Sequence, residues 1–437
     1  MTESRIADSK PMSRRTFLGR SAAGGLALGA PALASACGGG GGSGGKAKIR
    51  MWTWYSEQQA LWPKVIKDFE KAHSNIQVEN RIFGDTNSYL PALQASVSAG
   101  EPPDIFAPHV LAIQYGKAGI ALDLKKALGS DFLSGFFPST NAEYSDGGKQ
   151  YAIGWMAQTF GIFYNTEIFT RAGVDVPETW DDFSSAAAAI RQKTGLVPCS
   201  LSNNPGPSGL DFFLPLITQV TDNPQLVLDL DMQRGGTTWN SPQVVQALSL
   251  VQKLVKEQAF GSGINGVTGT QAATAFYTSK AAMLYSGSWE PQGFRMNAPA
   301  SFQSKYKVAQ TPAWAAGKKH WCANQAGAGL SVAAGSKNKD AAIEFLKYMY
   351  EPARYAQIMN QSHSMPSTVA AGQKIQDPVL KEMTSWLIKG NGCPHILFGK
   401  GSSDSASNEL AALIGGKKDP QAVAAGIQKA VHQAQGR

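Results

Sequence analysis

A fifteen-residue stretch without charge or proline limits what this chain can fold into more than any other feature. It reads Tyr151-Ala152-Ile153-Gly154-Trp155-Met156-Ala157-Gln158-Thr159-Phe160-Gly161-Ile162-Phe163-Tyr164-Asn165. A strand with one wet face alternates polar and apolar residues. This one does not, so it predicts one long strand, or two short ones, covered on both faces. It lies between the turn Asp146-Gly147-Gly148 and a helix start at Glu167. A single core rarely grows to 437 residues, so two lobes are expected, and the stretch is read as leaving one lobe and entering the other. A central strand of one large sheet is the plainer alternative.

The elements around it point to an open α/β sheet. Ile49, Met51, Thr53 and Tyr55 alternate with Lys48, Arg50, Trp52 and Trp54, which predicts a first strand over 46–55. Leu61, Val65, Ile66 and Phe69 stand at helical spacing after it, with Pro63 in the first turns. A second strand is expected over 76–83, a helix over 89–99 stopped by Gly100 and Pro102-Pro103, and a third strand over 104–107. In such a βαβαβ order ligands sit beyond the carboxyl ends of the strands. The loops there are Trp54-Tyr55-Ser56-Glu57, Gly84-Asp85-Thr86-Asn87 and Pro108-His109-Val110. Further on, Thr179 caps a helix with Asp181 and Asp182 in its first turn. Helices are also expected over 242–257 and 339–349, and two more over 409–435, split at Gly415-Gly416.

Charge and cysteine content exclude several functions. The formal net charge is +8, and residues 1–36 hold five cations against two acids, which leaves +5 for the rest. No Lys/Arg run tracks a phosphate backbone, so no nucleic-acid partner is expected. Cys37, Cys199, Cys322 and Cys393 form no CxxC and no metal-spaced cluster with His, so no metal is expected. With Cys37 used at the N-terminus, the other three fit one disulfide and a free thiol, or three buried thiols.

Residues 1–36 read as an export segment. Ser13-Arg14-Arg15-Thr16-Phe17-Leu18 is a twin-arginine pattern, followed by small apolar residues from Ala22 to Ala36. Leu33-Ala34-Ser35-Ala36-Cys37 resembles a lipobox, with Ala34 where Leu is usual; Ala34-Ser35-Ala36 also reads as an ordinary A-x-A cleavage site. The first reading makes Cys37 the lipidated N-terminus and 37–45 a glycine-rich tether to the outer face of the cell membrane. The second makes the chain secreted.

The remaining motifs resemble extracellular solute-binding protein family 1, the sugar-binding components of ABC importers and relatives of maltose-binding protein. The likeness rests on Trp52-x-Trp54 and Pro102-Pro103-Asp104-Ile105-Phe106, then the central stretch running on through Thr166-Glu167-Ile168-Phe169. Pro177-Glu178-Thr179-Trp180-Asp181-Asp182-Phe183, Asn240-Ser241-Pro242 and Ala281-Ala282-Met283-Leu284-Tyr285-Ser286-Gly287-Ser288-Trp289 follow in the family's order. Ala326-Gly327-Ala328-Gly329-Leu330 and the segment 337–346 match its return into the first lobe. The resemblance implies a two-lobed α/β periplasmic-binding-protein fold, type II-like, with hinge crossings between lobes. The expected lobes are 46–157 with 311–362, and 158–310 with 363–437. It also implies a sugar or oligosaccharide ligand, permease transmembrane subunits as partners, a monomer, no cofactor and no catalysis.

The candidate ligand contacts are aromatic and polar, because sugars offer C–H faces to rings and hydroxyls to paired polar groups. Trp54 and Tyr55 end the first strand, and one of the pair is expected to point inward. By resemblance, Trp289, beside Glu290, holds the family's stacking position. Trp155 lies in the crossing stretch, and Trp321 leads into the return strand. Glu57, Asp85, His109, Gln158, His363 and Asp404 complete the candidate set. Near Asp404 maltose-binding protein has an aromatic contact and this chain has none, so maltodextrin itself is not implied. Gly261-Ser262-Gly263-Ile264-Asn265-Gly266 matches GxGxxG but follows a helix and lacks the downstream acid, so it reads as a loop. Glu57, Asp85 and Glu290 keep an exported carbohydrate-active enzyme open as an alternative. A binding protein for a polyol phosphate is another, requiring Arg81, Arg295 and Lys400 to converge.

Overall fold

The computed structural model describes residues 46–204, 208–399 and 401–435. The export segment, Cys37 and the glycine tether lie outside the described residues, as does Lys400.

The chain opens with β1 (Ala47–Thr53) and β2 (Ile76–Ile82), paired in parallel along their whole length, and β3 (Ile105–Phe106) flanks β1 on the other side. The central stretch is one strand, β4 (Ile153–Asn165), buried at eleven of its thirteen positions. β5 (Val197–Ser200), β6 (Ala281–Gly287), β7 (Tyr306–Ala309), β8 (Cys322–Val332), β9 (Met365–Pro366) and β10 (Gly392–Cys393) follow. Among the described residues these ten form one sheet with the main order β2-β1-β3-β8-β4-β6-β5.

Two long strands, β4 and β8, hold the two halves of that sheet together. The first half of β4 pairs antiparallel with β8, from Ile153 opposite Leu330 to Thr159 opposite Asn324. Its second half pairs with β6 on one side and β7 on the other, Ile162 lying opposite both Tyr285 and Ala309. β8 in turn reaches β3 through Ser331 and Val332. Burial follows this division only in part, since Phe163 of the second half packs with the first core. Ile153, Trp155, Met156 and Ala157 join a core with Ile49, Met51, Phe69, Phe106 and Phe345, whereas Phe160 and Ile162 join one with Phe183, Phe213, Trp239, Leu254 and Leu410. Met365, Met383 and Trp386 pack into the first of these cores.

Glycine permits the closest approaches. A Cβ on Gly161 would lie 2.8 Å from the Ala309 carbonyl oxygen and 2.9 Å from the Trp386 ring, so the neighbouring strand and helix close over it. The predicted helix over 89–99 begins earlier, at Thr86–Ser98, because Asp85 caps it by accepting from the Ser88 N–H. Thr179 and Asp182 form a reciprocal capping box. The helix predicted from 409 is Ser402–Ile414. Cys199, Cys322 and Cys393 are three buried free thiols. Burial pushes Cys199 up to about 12 and Cys322 to about 11.

Candidate functional site

The sequence at the end of β6 builds an exposed ring into a hollow. Ser286-Gly287-Ser288-Trp289 leads from the strand into the helix Glu290–Asn297, whose N-cap is Trp289. A Cβ on Gly287 would stand 2.1 Å from the Trp289 ring, so only glycine lets the indole lie flat along the chain. Phe160 of β4 supports it edge-on at 5.1 Å. The ring still keeps 42% of its surface exposed, unlike almost every other large apolar side chain here.

Trp289 lines two hollows. One, of about 240 Å³, is lined by Glu57, Gln158, Ser288, Trp289, Gln292 and His363 among others. The other, about 460 Å³, holds Asp211, Tyr277, Tyr285, Ser286, Trp289 and Glu290 in its wall. Glu57 follows β1 in a 3-10 turn, Gln158 lies on β4 where the two halves of the sheet meet, and His363 sits just before β9. The first hollow is therefore lined from both halves.

Burial holds two carboxyls beside Trp289 above their ordinary range. The Glu57 side chain faces open solvent, yet the surrounding walls desolvate it and raise its carboxyl pKa. Glu290 is only 6% exposed and accepts a hydrogen bond from the Ser286 hydroxyl at 2.7 Å; burial raises its pKa too. Beneath Phe160, the buried His395 is held by Asp211 through Nδ1 at 2.8 Å, and Asp211 lines the larger hollow.

The structure brings Glu57, Gln158, Trp289 and His363 to one hollow and places Glu290 in the next. Other candidates fall elsewhere. Tyr55 is fully buried, its hydroxyl donating to the Gly329 carbonyl at 2.7 Å; of the pair Trp54-Tyr55 it is the inward member. Trp155 is also a correction. It is fully buried, with its indole N–H donating to Gln58 Oε1 at 2.7 Å, because the rings of Trp62, Tyr350 and Tyr355 pack around it. Trp321 is buried with its indole N–H on Asp222 Oδ1 at 2.6 Å, and it walls a separate apolar cavity of about 200 Å³. Asp404 is exposed in the first turn of its helix and lines neither hollow beside Trp289. Asp85 serves its helix cap. Trp54 and His109 remain half-buried at the end of β1, edge to face at 5.5 Å, in a cluster with Tyr89. Arg81 lies over Trp52 and Phe83, and Arg295 pairs with Asp377, so neither joins a phosphate cluster. The Gly261–Gly266 loop runs into a 3-10 turn over Ile264–Gly266 with no strand before it. Ser288 and Gln292 were not foreseen, since small and amide side chains carry no distinctive spacing.

An α/β molecule whose halves share two crossing strands and line one hollow below an exposed indole falls in the class of two-lobed solute-binding proteins. The model of the bacterial extracellular solute-binding protein family matches residues 53–355, and the chain belongs to that family. It is 26% identical over 301 residues to the multiple sugar-binding protein of Streptococcus mutans, covering 67% of this chain and 68% of that one. It is 27% identical to the diacetylchitobiose binding protein DasA of Streptomyces coelicolor, covering 64% of each. Among solved structures, a family 1 extracellular solute-binding protein from Bifidobacterium longum subsp. infantis superposes with a TM-score of 0.74 at 22% identity, over 89% of this chain and all of that one. The apo form of RafE from Streptococcus pneumoniae superposes with a TM-score of 0.75 at 19% identity, over 91% and 100%. These structures share the fold.

Proposed function

We propose that this chain is the substrate-binding protein of an ABC importer, holding a sugar or oligosaccharide between its lobes and delivering it to a membrane permease. The half-exposed Trp289 ring, set in a hollow with Glu57, Gln158 and His363, carries the reading. A flat apolar face beside polar groups matches the C–H face and hydroxyls of a pyranose. The relatives whose names record sugar binding support it. Trp289, Glu57, Gln158 and His363 form the ligand wall, Glu290 backs it, and Trp54 and His109 stand ready at the end of β1. The lobe boundaries expected from the sequence belong to this proposal, with closure about β4 and β8. So do twin-arginine export, lipidation at Cys37 and a monomeric state. Binding here needs no covalent chemistry.

Thermal melting against a panel of mono- and oligosaccharides tests the proposal. A sugar at about 100 times its dissociation constant adds roughly 2.7 kcal/mol of stability. The expected result is an upward shift for one sugar class with the sugar recovered intact. A flat sugar panel with a shift from a polyol phosphate would overturn the sugar assignment, and recovery of cleaved sugar would overturn the binding-only role.

A further inference from the structure

We infer that Arg295 is a positioning residue that locks the cavity-lining His363 into a single tautomer, so that its ring meets a ligand only as a hydrogen-bond donor. The inference rests on the binding role proposed above for the hollow beside Trp289, and it adds a constraint on what that hollow accepts.

The chemistry follows from what each group can donate. The Arg295 guanidinium has hydrogen-bond donors and no acceptor. One of its Nη atoms lies 3.2 Å from His363 Nδ1. That contact is a hydrogen bond only if Nδ1 presents its lone pair, and the ring proton then sits on Nε2. Arg295 is held in turn by Asp377, a carboxylate only 8% exposed that also caps the helix Pro378–Ile388 by accepting from the Val379 and Leu380 N–H groups. Arg295 reaches both partners across a long stretch of chain, His363 and Asp377 being 68 and 82 residues from it.

Two further observations indicate that the arrangement serves the site. His363 has a φ of 48°, a left-handed conformation that non-glycine residues rarely adopt and that clusters at functional positions. In addition, the helix that carries Arg295 in its last turn starts at Trp289. The ring of the hollow and the clamp on its histidine thus belong to one rigid element. The Glu57 carboxylate and the Trp289 ring line the same hollow, so its wall holds an acceptor and an aromatic face together with the fixed donor. A ligand oxygen facing His363 must accept, as a ring oxygen, a glycosidic oxygen or a hydroxyl lone pair does. A ligand that presents an ammonium there is refused.

Nitrogen NMR of the full chain, labelled with ¹⁵N at histidine and arginine and recorded without sugar at about pH 8, above the ordinary imidazole range, reads the tautomer directly. His363→Gln assigns the resonances. The expected spectrum shows a proton-free Nδ1, a protonated Nε2 and a coupling across the Arg295–His363 hydrogen bond. In Arg295→Met the coupling disappears and a mixture of tautomers appears. Asp377→Asn, which keeps the cap but loosens Arg295, weakens the coupling. A protonated Nδ1 in the parent chain, or identical His363 signals in the parent and Arg295→Met, would overturn the inference. Because no sugar is present, a locked tautomer with a flat sugar panel would discard the sugar reading and leave the clamp standing. For any sugar that does stabilise the parent, Arg295→Met is expected to raise the dissociation constant roughly tenfold, the worth of one lost hydrogen bond.

Discussion

Trp289 is the residue on which ligand capture should depend most, and folding to a smaller degree. Trp289 is 42% exposed and leans on Phe160, so Trp289→Ala removes only part of a core contact. Stability should fall by about 1–2 kcal/mol, whereas the truncation of a central aromatic contact costs about 2 kcal/mol or more of binding, some thirtyfold in affinity. Calorimetric titration beside a melting curve separates the two. Gly287→Ala should do similar damage indirectly, since the new methyl occupies the space of the indole. Glu290 makes a pH prediction. Burial raises its pKa in the folded protein above the unfolded value, so the folded state resists ionising it. Below the unfolded pKa there is no penalty; as pH rises from there the penalty grows until Glu290 ionises in the folded protein as well. Glu290→Gln, which keeps an acceptor for Ser286, should therefore gain stability relative to the parent between acid and neutral pH. Urea midpoints across that range would show a flat difference if burial imposes no such cost.

At the scale of elements, β4 has no room for added bulk at Gly161. Its neighbours close over Gly161, with the Ala309 carbonyl and the Trp386 ring both inside 3.0 Å of any added Cβ. Gly161→Ala should cost about 1–3 kcal/mol, as overpacking does, and lower the melting temperature. β8 and β10 hold Cys322 and Cys393 in neighbouring strands but not facing one another, since Cys322 pairs with Gly392 and Cys393 with Ala323. Successive side chains of a strand point to opposite faces, so the two thiols are directed apart. With burial also raising their pKa values, these thiols should resist alkylation at neutral pH. In a Cys37→Ser chain, mass spectrometry is expected to find no adduct on the folded protein and three after denaturation.

At the scale of the whole molecule, the sheet is continuous through β4 and β8, so relative motion of its halves must bend those two strands. Solution scattering with and without a stabilising sugar should show a smaller radius of gyration in the bound state. An unchanged profile with confirmed binding would place the hinge reading in error. The family match, running from residue 53 to 355, covers both crossing strands and the Trp289 segment.

What the sequence determined by itself was periodicity and composition. An uncharged run with no alternation must be covered on both faces, and β4 is. Capping residues such as Thr179 act over three or four positions, a distance the sequence displays directly. Gly287, two positions before Trp289, was legible as a motif, and the space occupied by the ring explains it. What only the tertiary structure decided was which side of a strand end faces the hollow. Tyr55 and Glu57 are two positions apart, yet one packs inward against Gly329 and the other lines the hollow beside Trp289. Trp155 looked like Trp289 in composition and lies in the core, because the covering helices and the Gln58 acceptor arrive from distant segments. The meeting of His363, Arg295 and Asp377 is likewise a product of chain topology. Short-range propensity acts over one helical turn or one strand repeat, and no such rule reaches across 82 residues.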